Sequence, residues 1–201
     1  VVRFPLLTPP GTQNPSPPVV SPNGRYIAFA ADSDGKRLIW VRALDALEAR
    51  ALPGTEGVLR PFWSPDSRFL GFMSGGVLKK VDIAGGPPTT ICEAPNGADG
   101  SWSSEGVILF DGRSADPLWR VPAAGGKRQP VVFGQDKESG TLGAGWPEFL
   151  PDGKHFLFTL GLGDSTEMMV TVGSLDSKET KPLFKTSTRV LYADPGYLIY
   201  V

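Results

Sequence analysis

What most limits the folds open to this chain is a short phrase that it repeats. Ser21-Pro22-Asn23-Gly24 leads into Tyr26-Ile27-Ala28-Phe29, and Ser64-Pro65-Asp66-Ser67 leads into Phe69-Leu70-Gly71-Phe72. Ser103-Ser104-Glu105-Gly106 then precedes Val107-Ile108-Leu109-Phe110, and Leu150-Pro151-Asp152-Gly153 precedes His155-Phe156-Leu157-Phe158. A degenerate fifth copy, Asp194-Pro195-Gly196, precedes Tyr197-Leu198-Ile199-Tyr200. The closing aromatics fall 43, 38, 48 and 42 residues apart. Pro presets φ, Asp or Asn bonds the local backbone and Gly accepts positive φ, so each copy is turn chemistry feeding an apolar strand. Five copies mark architecture rather than five active sites.

Each repeat carries further strand-like runs. Leu38–Arg42, Val77–Val81, Leu118–Val121 and Met168–Val172 follow the anchored strands, alternating or continuously apolar. A last run closes each unit at Arg50-Ala51-Leu52, Thr89-Thr90-Ile91, Pro130–Phe133 and Pro182-Leu183-Phe184. Ahead of the turns, Val19-Val20, Phe62-Trp63, Ser101-Trp102 and Glu148-Phe149 supply a first short strand. Four short antiparallel strands in about 40 residues is the content of one β-propeller blade. The 25 Gly and 20 Pro of the 201 residues fit such a turn-rich, all-β chain.

The reading is therefore an all-β propeller with four complete blades, at residues 17–57, 58–97, 98–145 and 146–189, and the start of a fifth at 190–201. Residues 1–16 form a leading strand and linker, in which Val1–Leu7 are placed as the outer strand that closes a last blade. Propellers of this kind commonly close with six or seven blades, so an incomplete ring is expected; closure at five by the leading strand is the alternative. Because the chain begins without Met, it reads as a piece of something longer. Unpaired blade edges would then invite self-association. Arg42–Leu52, with its helix-forming composition, is assigned by the repeat register to strand, turn at Asp45–Glu48 and strand.

Composition removes several functions. Lys plus Arg number 20 against 21 Asp plus Glu, so no basic footprint for nucleic acid exists. The single Cys92 makes no internal disulfide and has no Cys/His cluster for zinc; it is read as a small buried hydrophobe. No apolar run of 18 residues occurs, so no membrane insertion by this segment is expected. His155, the only histidine, sits in the column of Tyr26, Phe69, Val107 and Tyr197 and stands in for an apolar strand residue; a Ser-His-Asp machine is not expected. Asp32–Gly35 reads as a turn between strands rather than a calcium loop. Gly140–Trp146 and Gly161–Thr166 lack the order of a phosphate-binding loop. No catalytic residue, cofactor or metal is assigned.

Trp63 and Trp102, before the turns, and Trp40 and Trp119, in the third strands, occupy matched columns and read as packing between blades. Trp146 departs from the columns. Propellers put the start of each innermost strand on the central channel, which makes Arg60, Asp99, Trp146 and Glu148 the candidates for a ligand or partner surface. The competing reading is that these are ordinary solvated channel residues.

The repeat, with "LIWVRALD" or "PLWRVPAAGG" after its strand end, resembles TolB-type and WD-like bacterial β-propellers over nearly the whole chain. The opening "VVRFPLLTPPGTQ", with "LPGTEG" and "AAGGKRQPV" in later blades, is similar to propellers attached to bacterial eukaryotic-type serine/threonine protein kinases. That resemblance implies a non-catalytic extracytoplasmic sensor, on the periplasmic face, tethered by a membrane helix outside this segment and binding a protein, peptide or small polar ligand. None of the kinase motifs is present here. Two other readings stay open: the gating propeller of a prolyl-oligopeptidase-type serine peptidase, and a TolB-like cell-envelope interaction protein.

Overall fold

The computed structural model describes residues 8–112, 116–133, 141–162, 166–193 and 195–200, and among them there is no helix. Four antiparallel sheets of four strands follow one another along the chain. The first is β1 (Val19–Val20), β2 (Tyr26–Ser33), β3 (Lys36–Ala43) and β4 (Arg50–Leu52). The second is β5 (Pro61–Trp63), β6 (Phe69–Ser74), β7 (Val77–Asp82) and β8 (Thr89–Glu93). β9 (Gly100–Trp102), β10 (Val107–Phe110), β11 (Trp119–Pro122) and β12 (Gln129–Pro130) make the third. β13 (Thr141–Phe149), β14 (His155–Leu162), β15 (Met168–Ser174) and β16 (Lys181–Thr186) make the fourth, and β17 (Leu191–Ala193) pairs with β18 (Tyr197–Ile199) in a two-stranded fifth. Within each sheet the strands meet their sequence neighbours, as propeller blades do. The chain is a β-propeller, and its ring is not closed: β1 lies against β5, β5 against β9, β9 against β13 and β13 against β17, with no comparable contact from β17 or β18 back to the first sheet among the described residues.

The repeated turns behave as their chemistry requires. Ser21 Oγ accepts the Tyr26 N–H at 2.9 Å, and Ser64 Oγ accepts the Phe69 N–H at 2.8 Å. Asn23, Asp66 and Asp152 each accept from the backbone two residues on. The fourth turn position is left-handed throughout, with Gly24, Gly106 and Gly153 at φ 67°, 75° and 70°. Ser67 takes that conformation without being glycine (φ 60°), and its Oγ accepts the Asn23 N–H of the preceding turn at 3.0 Å. Ser103 Oγ donates to the Gly153 carbonyl at 2.6 Å, so the turns are bonded to each other between sheets. At Arg42–Leu52 strand, turn and strand form with no helix, because β3 and β4 pair at Ile39–Leu52, Trp40–Ala51 and Val41–Arg50. Pairing in the sheet outweighs local propensity there. Pairing with β2 also reaches upstream of β1, through Gln13 and Asp32. The proposed closing strand, Val1–Leu7, lies outside the described residues.

The core sits between sheets and follows the period of two of a β-strand. Along β6, Leu70 and Phe72 pack toward Ala28, Ile39 and Leu52 of the first sheet, whereas Met73 joins Ile108 and Phe110 of the third. Along β10, Leu109 turns instead to Phe156 and Phe158 of the fourth. Leu157, between those two phenylalanines, packs with Val190 and Leu198 at the fifth. Full burial of each such side chain stabilises by roughly 1.5–3 kcal/mol. Three of the four column tryptophans join the same interfaces: Trp63 lies 6.2 Å from Tyr26 and Trp102 6.4 Å from Phe69, Trp63 Nε1 donates to the Val19 carbonyl at 3.0 Å, and Trp119 packs on the cluster between the second and third sheets, whereas Trp40 packs within the first sheet against Ile27, Phe29 and Ala31 instead of between blades. Cys92 is buried in the cluster between the second and third sheets.

One ring depends on missing side chains. Phe62 of β5 is 5% exposed and lies across from Gly71 of β6. A Cβ at Gly71 would fall 2.4 Å from two of its ring carbons, and one at Gly100 of β9 would fall 2.7 Å from the other side of the ring. These glycines are needed for space, not for conformational freedom.

Candidate functional site

Four of the five sheets send one charged residue to a single cluster beside their innermost strands. Arg60 immediately precedes β5, Asp99 precedes β9, Glu148 lies in β13, and Arg189 stands two residues before β17. Asp99 Oδ2 accepts from Arg189 Nη1 at 2.9 Å and from Arg60 Nη1 at 3.3 Å. Arg189 Nη2 reaches Glu148 Oε2 at 3.2 Å. Asp99 is buried and its Oδ1 accepts its neighbour's N–H, that of Gly100, at 2.9 Å. Arg189 Nε is also buried and bonds to no acceptor among the described residues.

Behind this cluster lies Asp111, just past β10. Its Oδ1 accepts the N–H groups of Asp99 (2.8 Å) and Ala98 (3.2 Å), and its Oδ2 accepts that of Trp146 (3.2 Å). Burial pushes the Asp111 carboxyl up to about 6, with the charge of Asp99 adding to the rise and the three N–H groups opposing it. Burial likewise raises Glu148, against the charge and hydrogen bond of Arg189. Both follow from removing a carboxylate from water.

Trp146 enters through its backbone. β13 carries two register shifts, between Leu142 and Ala144 and between Gly145 and Glu148, and Trp146 lies in the second with φ 48°. A bulky residue rarely takes that conformation. The bond from its N–H to Asp111 holds it there, and Thr159 Oγ1 fixes the adjoining Gly145 carbonyl at 3.0 Å.

Of the four residues singled out in the sequence, Arg60, Asp99 and Glu148 are thus joined in one network, and Trp146 is tied to it through Asp111. Arg189 and Asp111 were missed. Arg189 had a signal: the Gly196 N–H bonds to the Ala193 carbonyl, as Ser67 does to Ser64, so Ala193 is the first turn position. Four residues before that position stand Arg60, Asp99, Trp146 and Arg189, one column in four blades. Asp111 had no such signal.

Other candidates resolve locally. His155 opens β14 half-exposed, and its Nδ1 pairs with Asp152 Oδ2 of its own turn, so it completes the turn instead of replacing an apolar residue. That pairing holds the Asp152 carboxyl down at about 2. Asp34 and Gly35 (φ 49° and 72°) form the two-residue turn of the β2–β3 hairpin, and Asp32 pairs with Arg37 at 3.0 Å. Among the described residues no His, Cys, Asp and Glu cluster could hold a metal ion, and no helix is long and apolar enough to cross a membrane. Residues 163–165 of the second glycine-rich stretch, and Gly140 of the first, lie outside the described residues.

No protein-family model matches the chain, and no curated protein matches it. Solved structures do. A putative TolB from Agrobacterium tumefaciens superposes with a TM-score of 0.73 at 17% identity, over 92% of this chain and 72% of that one. TolB from Acinetobacter baumannii gives 0.62 at 17% identity, over 90% of this chain and 44% of that one. A prolyl endopeptidase gives 0.59 at 17% identity, with 90% of this chain covering 30% of that one. The shared feature is the propeller fold.

Proposed function

We propose that this propeller is a non-catalytic recognition domain that binds a protein, peptide or small polar ligand at the face carrying Arg60, Asp99, Trp146 and Glu148. The observation behind this is the charged cluster itself, to which four successive sheets each contribute one residue. A buried ion pair of this kind is a poor way to gain stability, since desolvation offsets much of the attraction. Its exposed arginine edge is chemistry suited to recognition. The finer reading is the extracytoplasmic sensor of a bacterial serine/threonine kinase, held to the membrane by a helix elsewhere in the protein. It is supported by the opening residues and by the "LPGTEG" and "AAGGKRQPV" stretches. A TolB-like envelope role would use the same face, and the structural likeness to two TolB proteins favours it equally. The prolyl endopeptidase likeness supports a gating propeller in the same measure as any propeller of that fold.

Two experiments test this. Peptides selected on the immobilised chain from a displayed random library should lose binding to Arg60→Glu; selected binders indifferent to that change and to Trp146→Gly would remove the face from consideration. Reading the parent gene on both sides discriminates the roles. A kinase domain followed by an apolar span upstream supports the sensor, a signal peptide the envelope protein, and a downstream hydrolase domain the gate.

A further inference from the structure

The two aspartates lie deepest in the cluster and Arg60 lies outermost. Asp99 and Asp111 are 1% and 5% exposed, and the Glu148 side chain 23%. The Arg60 side chain is 47% exposed and that of Arg189 24%. The two aspartates thus lie beneath Arg60, while Glu148 stands level with Arg189, so a solute approaching from water meets the Arg60 guanidinium first. Arg60 is also the less committed of the two: its one contact, at 3.3 Å, is to an oxygen that Arg189 already holds at 2.9 Å. Among the described residues its remaining donors have no acceptor, and a guanidinium offers five in a planar fork.

We infer that this cluster is a carboxylate-binding subsite, in which Arg60 receives the acid group of a ligand through the open edge of its guanidinium while Arg189 holds Asp99 and Glu148 in place. A planar monoanion matches that fork, in the two-bond geometry of arginine–carboxylate pairs. A phosphate dianion does not suit it, because the three carboxylates grouped with the two arginines repel a second negative charge. The inference rests on the reading of this face as a binding surface and names the chemistry it takes. The acid group has two sources, a peptide C-terminus and a small organic acid.

The test is nitrogen-15 NMR of the Arg Nε–H groups of the chain, titrated with four probes: acetate, Gly-Gly-Ala as the free acid, Gly-Gly-Ala amide and inorganic phosphate. Saturable shifts at Arg60 with both acids and none with the amide are expected. Tighter binding of the tripeptide than of acetate assigns the site to a peptide terminus, and equal binding assigns it to small acids. Arg60→Gln should weaken the acids about tenfold, the worth of one charge-assisted pair. That variant keeps its fold, since Arg60 is half-exposed and Asp99 retains Arg189. Lowering pH from 8 toward 5.5 should tighten acid binding. Of the charged groups that converge here (Arg60, Asp99, Asp111, Glu148 and Arg189), Asp111 is the carboxyl that burial raises to about 6, and burial raises Glu148 as well. Equal response to the amide or to phosphate, or an Arg60→Gln chain that binds unchanged, overturns the inference. If library-selected peptides bind this face whether or not their terminus is amidated, the recognition reading survives and the carboxylate subsite does not.

Discussion

A single methyl group at Gly71 should destabilise this chain, and the reason can be isolated. The new Cβ would lie 2.4 Å from two carbons of the Phe62 ring, well inside contact distance, and the ring cannot retreat because Gly100 of the next sheet already backs it at 2.7 Å from its own Cβ position. Overpacking of this kind costs about 1–3 kcal/mol. Against it stands a gain of roughly 0.5–1 kcal/mol from replacing a glycine in a strand interior. The net expectation for Gly71→Ala is a loss of about 1–2 kcal/mol. In a Phe62→Leu background the methyl instead fills space the ring has vacated, so the same substitution should be neutral or stabilising, with a coupling of about 2 kcal/mol. Urea unfolding followed by tryptophan fluorescence measures all four corners of the cycle, with constant slopes confirming that stability alone has changed. A neutral Gly71→Ala, or single effects that add to within about 0.5 kcal/mol, would refute the packing argument. Gly173 is the internal comparison. Its Cβ would meet Phe156 at 2.9 Å, a softer clash, so Gly173→Ala should cost less.

Asp111 makes a pH signature. Its folded carboxyl, at about 6, holds a proton more tightly than the unfolded value of 3.8, so its contribution is fullest below pH 3.8 and is lost as pH rises through 6. The wild-type chain should therefore lose up to about 3 kcal/mol across that window relative to Asp111→Asn, and a difference curve that is flat or rising contradicts it. Trp63→Phe keeps the ring against Tyr26 but removes the bond to Val19, which should lower the urea midpoint by about 1 kcal/mol of stability; no shift would mean the bond adds nothing net. Arg189→Ala leaves the buried Asp99 carboxylate with the long contact from Arg60 as its one counter-charge beside the Gly100 N–H, and should cost about 2–3 kcal/mol by the same assay. A neutral result would show that Asp99 does not need Arg189.

The sequence exposed the propeller because its signals are local. A Ser or Asp at the turn needs only backbone a few residues away, and the alternation of Leu70, Phe72 and Met73 is fixed by the strand itself. The misleading helical composition of Arg42–Leu52 was corrected by register, a repeat-level signal. Arg60, Asp99 and Glu148 were legible as column members or near neighbours, but their ion pairs were not, since these depend on how adjacent sheets are set. Arg189 escaped because the fifth turn is degenerate, which hid its place in the column. Asp111 was invisible for another reason: its role is to hold a bulge in β13, and a bulge breaks the very periodicity by which strands are read. His155 looked like a stand-in for an apolar residue because its column is aromatic elsewhere, while its bond to Asp152 is made around the turn.

The ion pairs at the inner end also act as a mechanical gauge. They run from the second sheet to the third, from the third to the fifth, and from the fifth to the fourth. Hinge opening among the second to fifth sheets must lengthen at least one of them, and the 3.3 Å link from Arg60 is the slackest. Occupation of Arg60 by a ligand would release that link first, loosening the second sheet from the third while the other three blades stay clamped. The curvature of the arc and the occupancy of its inner end are then one variable. Distances between spin labels on β4 and β16, with and without an acid bound, would read it directly.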